Sequence, residues 1–161
     1  MTTVKVAYGA ETSLTWTAAI ASSATAGREC TAIDNTTTLA DDYQIAISMT
    51  TPNLAMANDK TVYVYAGAYQ GATLGYQGSP ALTGTDAAYT FDDITTTPSA
   101  LRLAGAFFQV QNKTRVFTIP SIATVFGGNV PPKFGLALIN FSGQTLTTVT
   151  ASYVPITYTN V

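Results

Sequence analysis

The chain has 161 residues, of which 47% are hydrophobic and only 10% charged, with a net charge of −2 and no histidine. This length favours a single domain, residues 1–161, whose core needs no disulfide or metal; the single cysteine excludes an internal disulfide. Scattered Lys and Arg give no basic surface for nucleic acid, and the longest apolar runs are too short to cross a bilayer. So weak a surface charge gives little protection against association, which favours a place in an assembly, although threonine-rich β-proteins share this composition.

Alternation of apolar and polar side chains with a period of two recurs along the chain, and helical periodicity is nearly absent. Each alternating run predicts a strand with one buried face. The predicted strands are residues 4–8, 13–17, 43–49, 61–69, 87–91, 101–110, 114–119, 134–141 and 151–159.

The segments between these runs predict how the strands are joined. The strands at 43–49 and 61–69 are separated by a turn-rich stretch, so we expect them to be antiparallel neighbours joined by a long loop. The glycine-dense segment 71–86 predicts an exposed excursion. Ser121 is placed to cap one helical turn that ends at Gly127.

The number of short strands predicts the fold class. Pro155 interrupts the last run, and because proline lacks a backbone donor we expect that strand to lie at an edge or to carry a bulge. Eight or nine short strands with turn signals between them predict an all-β fold, a single-domain, jelly-roll-like antiparallel β-sandwich.

Residues 27–42 hold the densest charge and lead directly into the strand at Tyr43. We predict an extended arm or loop here. The polar and reactive side chains of this segment are Arg28, Glu29, Cys30, Asp34, Asp41 and Asp42.

The residue types in the chain argue against catalysis. Without histidine, the usual general base and the Ser-His-Asp and Cys-His arrangements are excluded. Cys30 is interpreted as a packed thiol rather than a thiolate activated by Arg28. The aspartate pairs are not spaced like a calcium loop, and adjacent carboxylates on an extended chain point to opposite faces, so turn capping is favoured over calcium binding or glycosidase chemistry. We therefore predict no enzyme activity, no metal and no cofactor.

Aromatic side chains offer one further type of site. Tyrosines cluster near the glycine-rich segment, where they would stack on sugars or pack across neighbouring strands; packing is favoured. Trp16 is predicted to be a core or interface anchor. The clustered tyrosines are Tyr63, Tyr65, Tyr69 and Tyr76.

Four ordered blocks of the sequence resemble a group of small virion proteins of tailed bacteriophages, the capsid cement or decoration type. The blocks are GRECTAIDNTTTLADDYQIAISM, NDKTVYVYAGAYQG, LRLAGAFF and VPPKFGLALINFSG. The resemblance implies a non-enzymatic jelly-roll unit, assembled in the host cytoplasm, that is present in many copies on the virion. It also implies that the unit binds the shell of the major capsid protein, commonly as a homotrimer. There are two alternatives to a capsid decoration protein: a phage tail or head-fibre component, and a carbohydrate-binding module.

The charged segment is then the candidate subunit or shell interface. Arg28 would pair with a carboxylate of a neighbouring subunit, because a bidentate contact gives register as well as energy. The candidate interface residues are Arg28, Glu29, Asp34, Asp41 and Asp42.

Overall fold

The structure is a computed structural model that describes residues 3–16, 19–56, 60–69, 82–91 and 101–161. Within these ranges the chain forms β-strands and one helical turn. The elements are β1 Val4–Tyr8, β2 Thr12–Leu14, β3 Ala26–Glu29, β4 Ile33–Asp34, β5 Asp42–Thr50, β6 Thr61–Tyr69, β7 Ala87–Thr90, β8 Arg102–Phe108, β9 Thr114–Ile119, α1 Ile122–Val125, β10 Lys133–Phe141 and β11 Thr148–Asn160.

The strands form two antiparallel sheets. The first sheet has the order β1-β11-β5-β9, with β2 also paired to β11, and the second has the order β7-β3-β10-β6-β8, with β4 paired to β10. Four of these pairings are nested: β1 with β11, β3 with β10, β5 with β9, and β6 with β8. Nested pairing is what results when one long antiparallel hairpin is rolled into two facing sheets, so the predicted jelly roll is confirmed.

The main core lies between the two sheets. On β5, the alternating side chains of Tyr43, Ile45, Ile47 and Met49 are fully buried, as the sequence pattern predicts. On β10, both faces are buried, because a second cluster covers the outer face of its sheet. That cluster contains Tyr65, Tyr69, Leu82, Tyr89, Phe91, Leu101, Ala137 and Ile139.

Two sequence predictions of strand arrangement are wrong. Strands β5 and β6 are not neighbours: β5 pairs with β11 and β9, whereas β6 pairs with β10 and β8 in the other sheet. The connection between them crosses from one sheet to the other. Residues 27–42 are also more than an arm or loop, because they contain most of β3 and all of β4, both paired to β10.

Pro155 lies in β11, an interior strand, so the prediction of an edge strand is wrong. The irregularity is instead on the neighbouring strand. Tyr8 pairs with Ile156 and Thr12 with Tyr153, so the β1–β2 side has one extra residue, a bulge. The Pro155 carbonyl accepts a hydrogen bond from the Gly9 N–H at 2.8 Å. The carbonyl and the nitrogen of one strand residue point to the same side, so the Pro155 nitrogen also faces Gly9. The missing donor therefore faces the bulge, where the ladder is already interrupted.

The helical turn is confirmed. Ser121 Oγ accepts a hydrogen bond from the Thr124 N–H at 3.0 Å, and Gly127 adopts a positive φ of 84° directly after the turn. Of the predicted excursion at 71–86, residues 71–81 lie outside the described residues. Its described end packs inward, with Leu82 buried in the second cluster.

Candidate functional site

The five charged residues singled out in the sequence do not form one cluster. Arg28 and Glu29 lie on β3, and Asp34 ends β4. Asp42 begins β5, and Asp41 immediately precedes it. Four of the five make hydrogen bonds that organise loops or strand ends of their own chain, and Arg28 makes an ion pair within the chain.

Arg28 pairs with Asp86, which precedes β7. Its Nε donates to Asp86 Oδ1 at 2.5 Å, and its Nη2 donates to the Asp86 carbonyl at 3.3 Å. The guanidinium thus fixes the segment before β7 against β3. The structure contains a single chain and so does not test a contact between Arg28 and a neighbouring subunit, which stays a prediction.

Glu29 is a buried carboxylate, only 1% exposed. Its Oε2 accepts from the backbone N–H groups of Thr83 at 2.7 Å and Gly84 at 3.2 Å, and its Oε1 accepts from the Thr83 hydroxyl at 2.6 Å. A buried carboxylate is tolerated where hydrogen bonds replace its water. Glu29 therefore holds the loop before β7 in place.

Cys30 is completely buried in the main core. Burial raises the pKa of its thiol from 9.0 to about 12, with Glu29 and Asp86 adding to the increase through their negative charge and backbone hydrogen bonds opposing it. A thiol with this pKa and no exposure is not a nucleophile at neutral pH. The packed-thiol interpretation is confirmed.

Asp34 is exposed and caps a turn. One of its oxygens, Oδ1, accepts from the Thr36 hydroxyl at 2.6 Å and from the Thr36 N–H at 2.9 Å. These hydrogen bonds from the Thr36 side chain and backbone lower the pKa of the Asp34 carboxyl. This is the turn capping that the sequence analysis favoured for the aspartates over calcium binding or glycosidase chemistry.

Asp41 and Asp42 lie at a groove of about 570 Å³ between the start of β5 and α1. Asp42 is buried, and its Oδ1 accepts from the N–H groups of Tyr43 and Ala123, which ties the helical turn to β5. Asp41 is exposed, and its Oδ2 accepts from the Tyr158 N–H at 2.6 Å. Both carboxylates are therefore occupied with backbone donors, in keeping with capping.

The described tyrosines of the predicted aromatic cluster belong to the second sheet's packing. Tyr65 and Tyr69 are each 5% exposed, and the Tyr65 ring lies 5.4 Å from that of Phe91. Burial raises the pKa of both tyrosine hydroxyls. Tyr76 lies outside the described residues. Cross-strand packing is confirmed for Tyr65 and Tyr69, and Trp16 is confirmed as a core residue, 5% exposed.

The sequence analysis predicted the strand β1 but missed that both of its faces are exposed. All five of its residues are exposed, and its apolar side chains lie on one face beside Tyr158 of β11. The exposed fractions are Val4 55%, Val6 50%, Tyr8 67% and Tyr158 48%. The alternation in VKVAY predicted the strand. The signal for its exposure was that one face carries only apolar side chains, while the other carries a single charged residue, Lys5, beside the small Ala7.

The outer face of the first sheet continues from this strip with small, uncharged side chains. One cross-strand row holds Ser13, Ser152, Ala46 and Thr118, and the next holds Thr150, Ser48 and Val116. Val116 is 66% exposed, and a shallow depression of about 340 Å³ lies over both rows. The residues that line this depression are small or polar and uncharged, apart from Glu11 at its margin.

Among the described residues, no group of three or more Cys, Asp and Glu side chains is placed to hold a metal ion. In the same part of the chain, no helix has the length and apolar character needed to cross a membrane.

No family model matches the chain, and no curated protein matches it. Among solved structures, the chain is similar to the decameric BFDV capsid protein, with 14% identity, 97% of this chain and 96% of that chain covered, and a TM-score of 0.32. At that TM-score the likeness carries no argument about this chain.

Proposed function

We propose that this protein is a non-enzymatic virion structural protein, a capsid cement or decoration protein that binds the shell of the major capsid protein of a tailed bacteriophage. The observation that carries the proposal is the outer face of the first sheet, which combines two rows of small, uncharged side chains with the exposed apolar strip of β1. The four sequence blocks that resemble phage decoration proteins supply the kind of partner. The jelly-roll fold alone does not distinguish a virion protein from other proteins, since lectins and cupins share this fold with viral proteins.

A face of this kind suits adhesion to another folded surface. Small side chains on a sheet let a partner approach closely along its whole width, and few charges have to be removed from water on contact. Each contact of this type is weak by itself. Many copies on one shell stabilise it because each copy bridges shell subunits that are already held close together.

The candidate charged residues have supporting roles in this proposal. Glu29, Asp34, Asp41 and Asp42 are engaged by donors of their own chain, so they shape the loops rather than offer free carboxylates. A trimeric state and location on the assembled particle are implied by the resemblance and are part of the proposal.

The first test is the number of copies of this chain per particle, measured by quantitative mass spectrometry of purified virions against the major capsid protein. A ratio near one per capsid subunit supports decoration. A few copies per particle would instead support the tail or head-fibre alternative, and absence from the particle would refute both.

The second test asks whether the outer face makes the contact. Ser48→Lys places a charged side chain at the centre of the face, between Thr150 and Val116. We expect it to abolish rebinding to shells stripped of the protein. Thr90→Lys, on an exposed position of β7 in the opposite sheet, is the matched control and should bind normally. Equal binding by both variants would refute this face as the contact.

A further inference from the structure

Strand β1 forms one edge of the first sheet and packs chiefly against β11. Residues 157–161 beside it are exposed as well, so the two strands form a ribbon with both faces in solvent. Two-stranded ribbons without a covering layer are marginally stable in water. The opposite edge of the sheet is different, because Phe117 of β9 stacks on Phe107 of β8 with ring centroids 4.7 Å apart.

The hydrogen-bond pattern determines which backbone groups of β1 face outward. Thr3 and Val161 exchange both of their hydrogen bonds, at 3.1 and 2.9 Å, and the Gly9 N–H donates to Pro155. Bonded pairs alternate along an antiparallel ladder, so Lys5 and Ala7 also bond to β11. The N–H and C=O groups of Val4, Val6 and Tyr8 therefore point away from β11, to a side on which no described strand pairs with β1.

We propose that this edge pairs with β1 of a second copy of the same chain, antiparallel and centred on Val6. This two-fold contact is additional to the contacts within the proposed trimer and does not depend on them. In this register Val6 lies opposite Val6 of the second copy, and Val4 lies opposite Tyr8. All the outward-facing residues then become bonded pairs, three pairs with two hydrogen bonds each. A two-fold rotation axis through the Val6 pair exchanges the two copies, so both contribute the same residues to the contact, as in an isologous interface.

The side chains agree with this register and with this partner. Val4, Val6 and Tyr8 of both copies fall on one face and meet as apolar cross-strand pairs. Lys5, the only charged residue of β1, lies opposite Ala7 rather than against the second Lys5. A register centred on Ala7 would pair fewer of the outward groups, because Val4 would then lie opposite Ala10 in the bulge. The two copies would join their first sheets into one continuous sheet.

Crosslinking tests both the partner and the register. In Val6→Cys the two new thiols belong to a bonded pair, with Cα atoms about 5.5 Å apart, within the span of a disulfide. In the matched control Val4→Cys, on the same face of the same strand, the two positions are four residues apart along the strand and about 13 Å distant. We expect mild oxidation to give at least about tenfold more covalent dimer for Val6→Cys. Equal yields from the two variants would overturn the proposal.

A second pair of variants separates backbone pairing from side-chain packing. Val6→Pro removes a donor that β11 does not use, so the chain should fold while the pairing weakens by about tenfold or more. Val6→Thr keeps the donor and the β-branched shape and should associate nearly as wild type does. Sedimentation velocity over a range of concentrations gives the association constant. Association that is unchanged in Val6→Pro, or absent from the wild type, would overturn the proposal.

Discussion

Removing the Glu29 carboxylate should destabilise the protein far more than neutralising it. Glu29→Ala leaves the N–H groups of Thr83 and Gly84 without their acceptor. An unsatisfied buried donor costs about 1–3 kcal/mol. Because Thr83 is exposed enough for water to reach its N–H, the lower half of that range applies to it, and the total is about 3 kcal/mol.

Glu29→Gln preserves most of this network. The amide oxygen can occupy the position of Oε2 and accept from both N–H groups, while the amide NH₂ faces the Thr83 hydroxyl. A hydroxyl both donates and accepts, so Thr83 Oγ can turn its hydrogen toward Thr85 Oγ, 2.8 Å away. Only the charge assistance is lost, about 1 kcal/mol or less, since the buried charge no longer has to be desolvated.

Thermal unfolding and urea titration, both followed by tryptophan fluorescence, measure both variants. Trp16 is the only tryptophan, it is buried, and its Nε1–H donates to the Arg28 carbonyl beside Glu29. At about 2–4 °C per kcal/mol for a chain of this size, Glu29→Ala should lower Tm by about 6–12 °C and Glu29→Gln by about 4 °C at most. Equal losses in the two variants would refute the hydrogen-bonding argument. A normal Tm with defective assembly in Glu29→Ala would instead place Glu29 at a subunit boundary.

Three further predictions concern close packing and burial. Gly27→Ala should cost about 2–3 kcal/mol of unfolding free energy, because its Cβ would clash with the Leu138 carbonyl oxygen; Ala26→Ser on the same strand should change little in the same urea titration. Gly9→Ala should be destabilising because its Cβ would lie 2.7 Å from Pro155 Cγ, and Pro155→Ala should remove most of that penalty in a double-mutant cycle; additive losses would contradict this contact. Cys30 should resist thiol reagents at pH 8 until the protein unfolds. Folding raises the pKa of the Cys30 thiol from 9.0 to about 12. The contribution of this thiol to the free energy of unfolding is therefore complete below pH 9 and decreases as the pH rises toward 12. Denaturation of the wild type and of Cys30→Ala over this pH range measures the decrease.

The sequence predicted the fold class well because the main strands are strongly patterned. Tyr43 to Met49 alternate cleanly, and the structure buries every second side chain there. Strand β3 was missed because Arg28 and Glu29 are charged, and only the tertiary structure supplies the partners that let Glu29 be buried. Local alternation also cannot tell which sheet a strand joins, so β5 and β6 were wrongly paired.

The candidate site was predicted less well than the fold. Charge marked residues 27–42 as unusual, but hydrogen bonds to loops of the same chain account for these carboxylates. The interior position of Pro155 depended on a one-residue bulge in a strand about 145 positions earlier, which no local pattern encodes. The exposed edge of β1 is likewise a property of the sheet order rather than of the five residues.

The nested pairing of strands also determines how this chain must fold. The innermost pair, β6 with β8, joins positions about 40 residues apart, whereas Val4 pairs with Asn160 at the outermost level. Because closing a longer loop costs more conformational entropy, the pairs should form from the inside outward, and the high contact order predicts folding in milliseconds to seconds rather than microseconds. The outermost ribbon should form last and open first, so its amides should exchange with solvent deuterium earlier than those of β5 or β10.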